Sequence, residues 1–296
     1  MKTEYVFYKT LGHNKTSYNL YNPPLGSGAS STVYRSINVA TGEVMASKMI
    51  NIQDYDASLI DKEAKLLYKL SHPNILKFCK CIRTLSNAYL FTELCNITLS
   101  DYKPAYSNPI ILRKVLKDVL NGLAYLHDNH IMHRDIKPEN IYINVDPKDN
   151  SFIIAKIGDF GISKNVDMTM SDVGTYLYKA PEVLIHAGYT NLIDMWSVGV
   201  IVYRLMCGGF PARLPNNTYD HDLYIDKMLK VSPYIIELIL STIRIDPSKR
   251  LSAKQALSLP LFTVPDSALI DENIYKEYEK KQILLHPYKL KFDISK

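Results

Sequence analysis

The chain is organised around one polar octet, which reads His133-Arg134-Asp135-Ile136-Lys137-Pro138-Glu139-Asn140. Apolar residues flank it at 131–132 and 141–143, so we expect a polar loop held at both ends by chain that faces the core. Asp135 should stay ionised, because nearby cations favour the charged form of a carboxyl group. Asp135 and Asn140 could face one site, where one accepts a proton and the other binds a hard cation. Taken alone, however, the octet is more simply interpreted as a charged turn between strands.

The composition is that of an ordinary globular protein, with 296 residues, 47% hydrophobic and 22% charged. The net charge of +5 predicts no nucleic-acid partner, since no dense run of Lys and Arg accompanies it. Four cysteines (Cys79, Cys81, Cys95 and Cys207) form neither a disulfide framework nor a zinc-site spacing. No apolar run approaches the roughly 18 residues of a membrane helix, and the N-terminus lacks a signal-peptide core. We therefore expect no membrane association and an intracellular location, in the cytoplasm or the nucleus.

The first part of the chain alternates as β-strands do. Residues 4–10 alternate weakly, and residues 11–17 should break a strand there. Further strands are predicted at 18–25, 32–38, 43–50, 77–84 and 88–94. Residues 57–70 have helical spacing, with Glu63 interrupting the apolar stripe. These patterns predict a mainly antiparallel sheet with one helix.

After a linker near residues 93–98 the spacing becomes mainly helical. Helices are predicted from Pro109 to about His127, from Thr190 or Asn191 to Cys207, and over 233–243, 252–258 and 271–282, with short strands at 141–144 and 152–157. The helix that ends at Cys207 is apolar nearly all round, which indicates burial at the centre of a large unit. The predicted fold class is α+β, with a small β-rich lobe followed by a larger helical lobe.

Three further motifs carry chemistry. The turn Gly26-Ser27-Gly28 lies between strands, where bare backbone can approach phosphate oxygens, although most such turns are plain hairpins. Lys48 lies on the strand predicted at 43–50. Glu63 is its natural partner, because an unpaired buried charge costs several kcal/mol. Asp159 begins Asp-Phe-Gly directly after a strand and could join Asn140 as an oxygen ligand of Mg²⁺.

Together these motifs resemble the eukaryotic protein kinase family, from about Leu20 to Phe262. They occur in the family's order: Gly26-x-Gly28, Ala46-x-Lys48, Glu63, His133-Arg134-Asp135, Asn140, Asp159-Phe160-Gly161, Ala180-Pro181-Glu182, Asp194 and Arg250. Lys137 resembles the serine/threonine branch, and the wording around Asp194 and Cys207 is similar to calmodulin-dependent-type kinases. The resemblance implies a bilobal kinase domain over 18–262 (lobes 18–94 and 95–262), an N-terminal extension 1–17 and a C-terminal tail 263–296.

The resemblance also implies an activity, the ATP-dependent phosphorylation of serine and threonine hydroxyls on protein substrates. Asp135 would be the base, Lys137 would neutralise the transferred phosphoryl group, and Lys48, held by Glu63, would contact the α- and β-phosphates. Asn140 and Asp159 would hold Mg²⁺, for which Mn²⁺ could substitute. The residues expected around ATP are Leu25, Gly26, Ser27, Gly28, Ala29, Ser30, Ser31, Val33, Ala46, Lys48, Thr92, Glu93, Cys95 and Tyr142.

Other residues of the pattern are expected to be structural. His133 is the strongest candidate base on composition alone, but the resemblance makes it structural. Asp194 would brace the backbone of the polar octet, and Glu182 would form a buried ion pair with Arg250.

The sequence departs from the family at several positions and leaves alternatives open. Ser31 replaces a third glycine, Tyr176 replaces a proline, and Thr98 occupies a position that is often acidic. Arg134 and Lys164 could form a pocket for a phosphate added by an upstream kinase, with Ser171 the first candidate and Thr169 the second. The alternative functions are a catalytically silent, kinase-like scaffold that binds nucleotide or partners and, with less support, a small-molecule phosphotransferase.

Overall fold

The computed structural model describes residues 4–13, 16–28, 31–52, 57–146, 152–160, 176–211, 231–274 and 276–277. These residues form two compact units. The first contains the chain up to Asn96 together with Phe160, and the second contains 97–159 and the described residues from Tyr176 onwards. The first is a sheet with one helix and the second is mainly helical, so the predicted α+β class is confirmed.

The first unit is an antiparallel sheet of six strands in the order β1-β2-β3-β4-β6-β5. Its elements are β1 (Val6–His13), β2 (Thr16–Ser27), β3 (Ser31–Asn38), β4 (Val44–Asn51), α1 (Ala57–Lys69), β5 (Phe78–Arg83) and β6 (Asn87–Glu93). Side chains alternate between the two faces of a sheet, and one face carries the apolar cluster. The buried members of that cluster are Leu11, Tyr18, Leu20, Tyr34, Met45, Ile82, Tyr89 and Phe91.

The first strand corrects the prediction that residues 11–17 interrupt the sheet. Strand β1 continues to His13 and pairs with β2 down to the couple His13 and Thr16. Leu11 is buried in the apolar cluster, and the Lys9 ammonium donates a hydrogen bond of 2.6 Å to the Tyr89 hydroxyl. These tertiary contacts fix a strand that local alternation only weakly favours.

The second unit begins with a short strand that the sequence did not predict, β7 (Ile97–Thr98), which pairs with the strand after the polar octet. Its remaining elements are α2 (Pro104–Ser107), α3 (Pro109–Asp128), β8 (Ile141–Val145), β9 (Ile153–Ile157), α4 (Pro181–Leu184), α5 (Leu192–Cys207), α6 (Pro233–Thr242) and α7 (Ala253–Ala256). Helix α3 starts as predicted, because the Asn108 side chain accepts hydrogen bonds from the amides of Ile110 (2.9 Å) and Ile111 (3.2 Å).

Two predicted helices near the C-terminus differ from the structure. The one predicted over 252–258 is only α7, which Ser252 and Gln255 open with a reciprocal capping box. In the one predicted over 271–282, Asp271 is not helical, residues 272–274 and 276–277 are helical, and residues 275 and 278–282 lie outside the described residues. None of the helices in the described part of the chain combines the length and the hydropathy needed to cross a membrane.

Helix α5 lies at the centre of the second unit, as its all-round apolar sequence predicts. Met195, Trp196 and Val202 are completely buried, and the helix ends at Gly208, whose φ of 69° is left-handed. Gly199 allows a close approach to α6, since a Cβ at this position would lie 2.3 Å from Thr242 Oγ1 and 2.7 Å from Ile243 Cγ1. The packing of the two helices therefore requires a residue without a side chain.

We expect Gly199→Ala to lower the free energy of unfolding by about 1–3 kcal/mol, although Ala is the better helix former. The Thr242 hydroxyl cannot easily move away, because it is buried and donates to the carbonyl of Leu238 at 2.7 Å. Urea denaturation of the two proteins measures the difference. Gly209→Ala is the matched control, since a Cβ there meets nothing within 4 Å. Equal stability of the Gly199 variant and the wild type would contradict this packing argument.

Candidate active site

The polar octet is held in place by the buried carboxylate of Asp194 on α5. Its Oδ2 accepts a hydrogen bond from the amide of His133 and its Oδ1 accepts one from the amide of Arg134, both at 2.9 Å. The Nε2 atom of His127, near the end of α3, lies 2.9 Å from the same Oδ2. Asp194 is 1% exposed, so these donors replace the water that its charge would otherwise require. The predicted brace is confirmed.

Two residues of the site have left-handed backbone. Arg134 has φ of 69° and Asp159 has φ of 58°. This conformation is uncommon for residues with a side chain and costs of order 1 kcal/mol. At Arg134 the bond from its amide to Asp194 helps to hold the strained turn. The loop is therefore fixed by tertiary contacts and not by local preference.

His133 is buried, and its two ring nitrogens have different partners. The Nδ1 atom accepts a hydrogen bond from the amide of Asp135 at 3.3 Å, and Nε2 lies 3.0 Å from the carbonyl oxygen of Gly158. A neutral ring protonated on Nε2 satisfies both contacts. Burial lowers the pKa of His133 below its ordinary value. This imidazole ties the octet to the residue after β9, which is the structural role that the family resemblance implied.

The side chains of Lys137 and Asn140 both contact the carboxylate of Asp135. The Lys137 ammonium lies 3.2 Å from Asp135 Oδ2, and Asn140 Nδ2 donates to the same oxygen at 3.1 Å and to the Asp135 carbonyl at 2.8 Å. Asp135 is 7% exposed, so its orientation is set by these neighbours. The arrangement presents an oriented, ionised acid whose charge is partly balanced by the lysine.

Asn140 is turned so that its amide nitrogen faces Asp135, and no donor among the described residues bonds to its Oδ1. Asp159 follows β9 and offers a carboxylate. Oxygen donors of this kind suit a hard cation such as Mg²⁺. The described residues contain no cluster of three or more His, Cys, Asp or Glu side chains suited to a metal. A small set of protein ligands is typical of Mg²⁺ that is bound together with phosphate and water.

In the first unit, four residues predicted to surround ATP share one face of the sheet. Val33 lies opposite Lys48, and Ala46 lies opposite Thr92, in the antiparallel register. Facing residues, and residues two apart on one strand, point to the same side. This face is opposite to the one that carries the apolar cluster, because Met45 and its neighbours alternate with Ala46 and Lys48 along β4.

The glycine-containing turn joins β2 to β3. Gly26 pairs with Val33 and Ser27 with Thr32, and the Gly28 amide donates to the carbonyl of Ser31 at 2.8 Å. Leu25 is 40% exposed. Ala29 and Ser30 lie outside the described residues.

Glu93, at the end of β6, is hydrogen-bonded to the residue that precedes β5. Its carboxylate accepts a hydrogen bond of 2.7 Å from the Lys77 amide, and its own amide donates to the Lys77 carbonyl at 3.0 Å. Cys95 follows it and is partly buried, whereas Tyr142 lies on β8 in the second unit. The side chain of Glu63 and the residues Gly161, Lys164, Thr169 and Ser171 lie outside the described residues.

The predicted ion pair between Glu182 and Arg250 is confirmed. The guanidinium donates to both carboxylate oxygens, at 2.5 and 2.8 Å. It also donates through Nε to the Arg244 carbonyl at 2.7 Å and lies 5.0 Å from the ring centroid of Trp196. Arg250 is 3% exposed. The pair anchors α4, which begins five residues after Tyr176.

Sequence reasoning missed two sets of contacts. One is the bond between His127 and Asp194, whose residues are 67 positions apart. The other is a cluster in which Arg204 contacts Tyr178 and Phe210. No spacing rule links these residues, because each contact depends on how helices pack. The single available signal was Arg204 itself, a cation near the end of a mostly apolar helix.

Comparisons with known proteins agree with this geometry. A family model, the protein kinase domain, matches residues 21–262. Calcium/calmodulin-dependent protein kinase type IV of Mus musculus is 35% identical over 81% of this chain and 53% of its own length. Myosin light chain kinase A of Dictyostelium discoideum is 34% identical over 87% of this chain and 92% of its own. The chain thus spans about half the length of the calmodulin-dependent relative.

A solved structure is also similar. The crystal structure of Rad53 1–466 in complex with AMP-PNP matches with a TM-score of 0.68 and 29% identity. The match covers 83% of this chain and 65% of that one.

The buried neutral imidazole of His133 predicts a pH dependence of stability. The pKa of His133 is lowered in the folded chain, so the unfolded chain takes up a proton first as the pH falls below about 6.5. We expect His133→Gln to lose stability at pH 7.5, and this loss to shrink below pH 6.5 by up to roughly 1.4 kcal/mol per pH unit.

Urea denaturation of both proteins across this pH range tests the prediction. Subtracting one free energy from the other cancels the titration of the remaining histidines. A difference that stays constant with pH would show that His133 titrates alike in both states.

Proposed function

Because the chain belongs to the protein kinase family and its relatives include proteins named as serine/threonine-protein kinases, we propose that it transfers the γ-phosphoryl group of ATP to serine and threonine hydroxyls of protein substrates. The observation that carries the proposal is the oriented carboxylate of Asp135, contacted by Lys137 and Asn140 in a loop that Asp194 braces. A randomly assembled polar loop would not place these groups on one carboxylate.

Asp135 orients the substrate hydroxyl and accepts its proton, as a positioned carboxylate can. Lys137 offsets the negative charge of the phosphoryl group during transfer. Phosphoryl transfer needs little covalent help from a protein, so positioning and charge neutralisation supply most of the acceleration. The contact of 3.2 Å between Lys137 and Asp135 supports this division of roles, since both groups already face one position.

Asn140 and Asp159 would hold Mg²⁺, or Mn²⁺ in its place, and the ion would neutralise phosphate charge when bound. The Oδ1 atom of Asn140, to which no donor in the described part of the chain bonds, and the carboxylate of Asp159 support this assignment. In the first unit, Lys48 would contact the α- and β-phosphates, with Glu63 holding its ammonium. The shared sheet face of Val33, Ala46, Lys48 and Thr92 supports an adenine and phosphate surface there.

The remaining ATP contacts are proposed for the glycine-containing turn from Leu25 to Ser31, for Glu93 and Cys95, and for Tyr142. We place the kinase domain at 18–262, between an extension of 1–17 and a tail of 263–296. The match of the family model to 21–262 supports this division.

Replacing Asp159 with Asn should reduce phosphorylation of a serine-containing peptide by at least about a hundredfold, because the amide is a poorer cation ligand than the carboxylate. Replacing Asp135 with Asn should have a comparable effect, since positioned bases contribute about 10²–10⁴-fold. Transfer of radiolabelled phosphate from Mg-ATP measures both. Asp128→Asn is the matched control, because that exposed carboxylate pairs with Lys254 at the surface and with no other described residue.

The same measurements separate a kinase from a silent scaffold. A scaffold would bind nucleotide, as detected by calorimetry, without transferring phosphate in the wild type. If Asp135→Asn and Asp159→Asn both turn over at the rate of the wild type, the residue assignments are wrong.

An upstream kinase that phosphorylates Ser171, or else Thr169, is the proposed regulator. Arg134 is exposed, and its guanidinium lies 6.0 Å from the ring centroid of Tyr189. This weak contact would leave the charge available to a phosphate.

We expect phosphatase treatment to lower the activity of the wild type several-fold. We expect untreated Ser171→Ala to be as inactive as the phosphatase-treated wild type. Peptide phosphorylation before and after treatment, with mass spectrometry of the site, measures this. Thr169→Ala serves as the parallel variant. Full activity of Ser171→Ala after phosphatase treatment would rule out a switch at this residue.

A further inference from the structure

The guanidinium of Arg204 makes cation–π contacts with two aromatic rings of the second unit. It lies 5.0 Å from the ring centroid of Phe210 and 5.8 Å from that of Tyr178, and it donates a hydrogen bond to the Tyr178 hydroxyl. The side chain is partly buried. Such stacking holds the planar group in one orientation at little entropic cost.

This guanidinium has no ion-pair partner among the described residues. Its bond to Tyr178 uses one of its five N–H donors. Burial raises the pKa of Tyr178 to about 12, so the phenol stays neutral at physiological pH and does not offset the charge. The carboxylate that acts on Arg204 electrostatically is that of the exposed Glu139, at a separation beyond ion-pair distance.

Helix α5 connects this cluster to the polar octet, because Asp194 in its first turn binds the octet and Arg204 lies in its last turn. Glu139 lies between Lys137 and Asn140 in the octet, and its charge acts on Arg204 and on Tyr178 alike. Tyr178 precedes Ala180-Pro181-Glu182, and its carbonyl accepts a hydrogen bond of 2.9 Å from the Ser197 hydroxyl. Helix α5 thus fixes both the cation and the segment it rests on. All of these residues belong to the second unit.

We propose that Arg204 is a specificity-determining residue, which binds an acidic or phosphorylated side chain of the protein substrate near the acceptor hydroxyl. The inference rests on the proposed kinase function and adds the charge class of the substrate. A guanidinium fork matches the two oxygens of a carboxylate or phosphate.

The charge of Glu139 should oppose that of Arg204. Its exposed carboxylate repels an incoming anion and would attract a basic side chain. If Arg204 determines the preference, removing the charge of Glu139 should strengthen selection for acidic peptides. If Glu139 determines it, basic peptides should be the preferred substrates, and Arg204 should have little influence.

The test uses the full chain and serine peptides that carry Asp, phosphoserine, Arg or Ala at each flanking position in turn. At one position or more, we expect Asp to raise kcat/KM roughly tenfold over Ala through a lower KM, as one charge-assisted hydrogen bond provides. Phosphoserine, with its greater charge, should raise it further. Arg204→Gln should abolish this gain, Arg204→Lys should keep part of it, and Glu139→Gln should enlarge it.

Arg244→Gln is the matched control, because Arg244 is a partly buried arginine of the same unit that lies outside the cluster. It should leave the preference for Asp unchanged. Within each variant, the ratio of kcat/KM for the Asp peptide to kcat/KM for the all-Ala peptide is the readout, since a general structural defect would lower both values and leave their ratio unchanged.

A preference for Arg peptides, or a gain from Asp that persists in Arg204→Gln, would overturn the inference while leaving the kinase function intact. Binding of labelled Asp and Ala peptides, followed by fluorescence anisotropy, tests Arg204 independently of turnover. If no peptide is phosphorylated, the proposed function fails, and the anisotropy comparison still decides whether Arg204 binds an acidic peptide. Should Arg204→Gln prove unstable in urea denaturation, the opposite shifts expected of Arg204→Lys and Glu139→Gln decide the matter.

Discussion

The buried carboxylate of Asp194 is the interaction on which the polar loop depends. A carboxylate that is 1% exposed needs donors to replace water, and here two backbone amides of the loop and one imidazole supply them. The requirement works in both directions. The charge is tolerated because the loop satisfies it, and the loop adopts a left-handed turn at Arg134 because the charge holds it there.

Helix α5 extends this principle along its length. Besides Asp194, it contributes the Ser197 hydroxyl that holds the carbonyl of Tyr178, the Trp196 ring beneath Arg250, and the guanidinium of Arg204. A helix without a solvent-facing side can contact several segments at once. Asp194 and Ser197 are bonded to the octet and to the segment after Tyr176, so a single buried element orders both, and its Trp196 ring packs against Arg250 of the ion pair.

The ion pairs of the second unit differ greatly in what they contribute. Lys254 and Asp128 are 65% and 54% exposed, so their contact at 2.8 Å adds about 0–1 kcal/mol. Glu182 and Arg250 are almost completely buried and joined by two hydrogen bonds. Breaking such a pair by removing one partner typically costs about 3–5 kcal/mol. Burial, and not the number of pairs, therefore decides which charges hold this unit together.

Local periodicity and short spacings predicted most of the sheet, the long helices α3 and α5, the burial of α5 and the order of the motifs. Strands β2 to β6 followed from alternation, and α3 followed from Asn108 and Pro109 at its start. Through the family resemblance it also predicted the brace at Asp194 and the pair of Glu182 with Arg250.

Features that depend on residues far apart in the chain could be recognised in the folded structure alone. Strand β1 continues because Leu11 is buried and Lys9 bonds to Tyr89, 80 positions away. The bond from His127 to Asp194 and the rings beneath Arg204 depend likewise on how helices pack. A charge on a helix reads the same in the sequence whether or not it has a partner. Whether it is paired depends on which side chains the fold brings within a few ångströms of it.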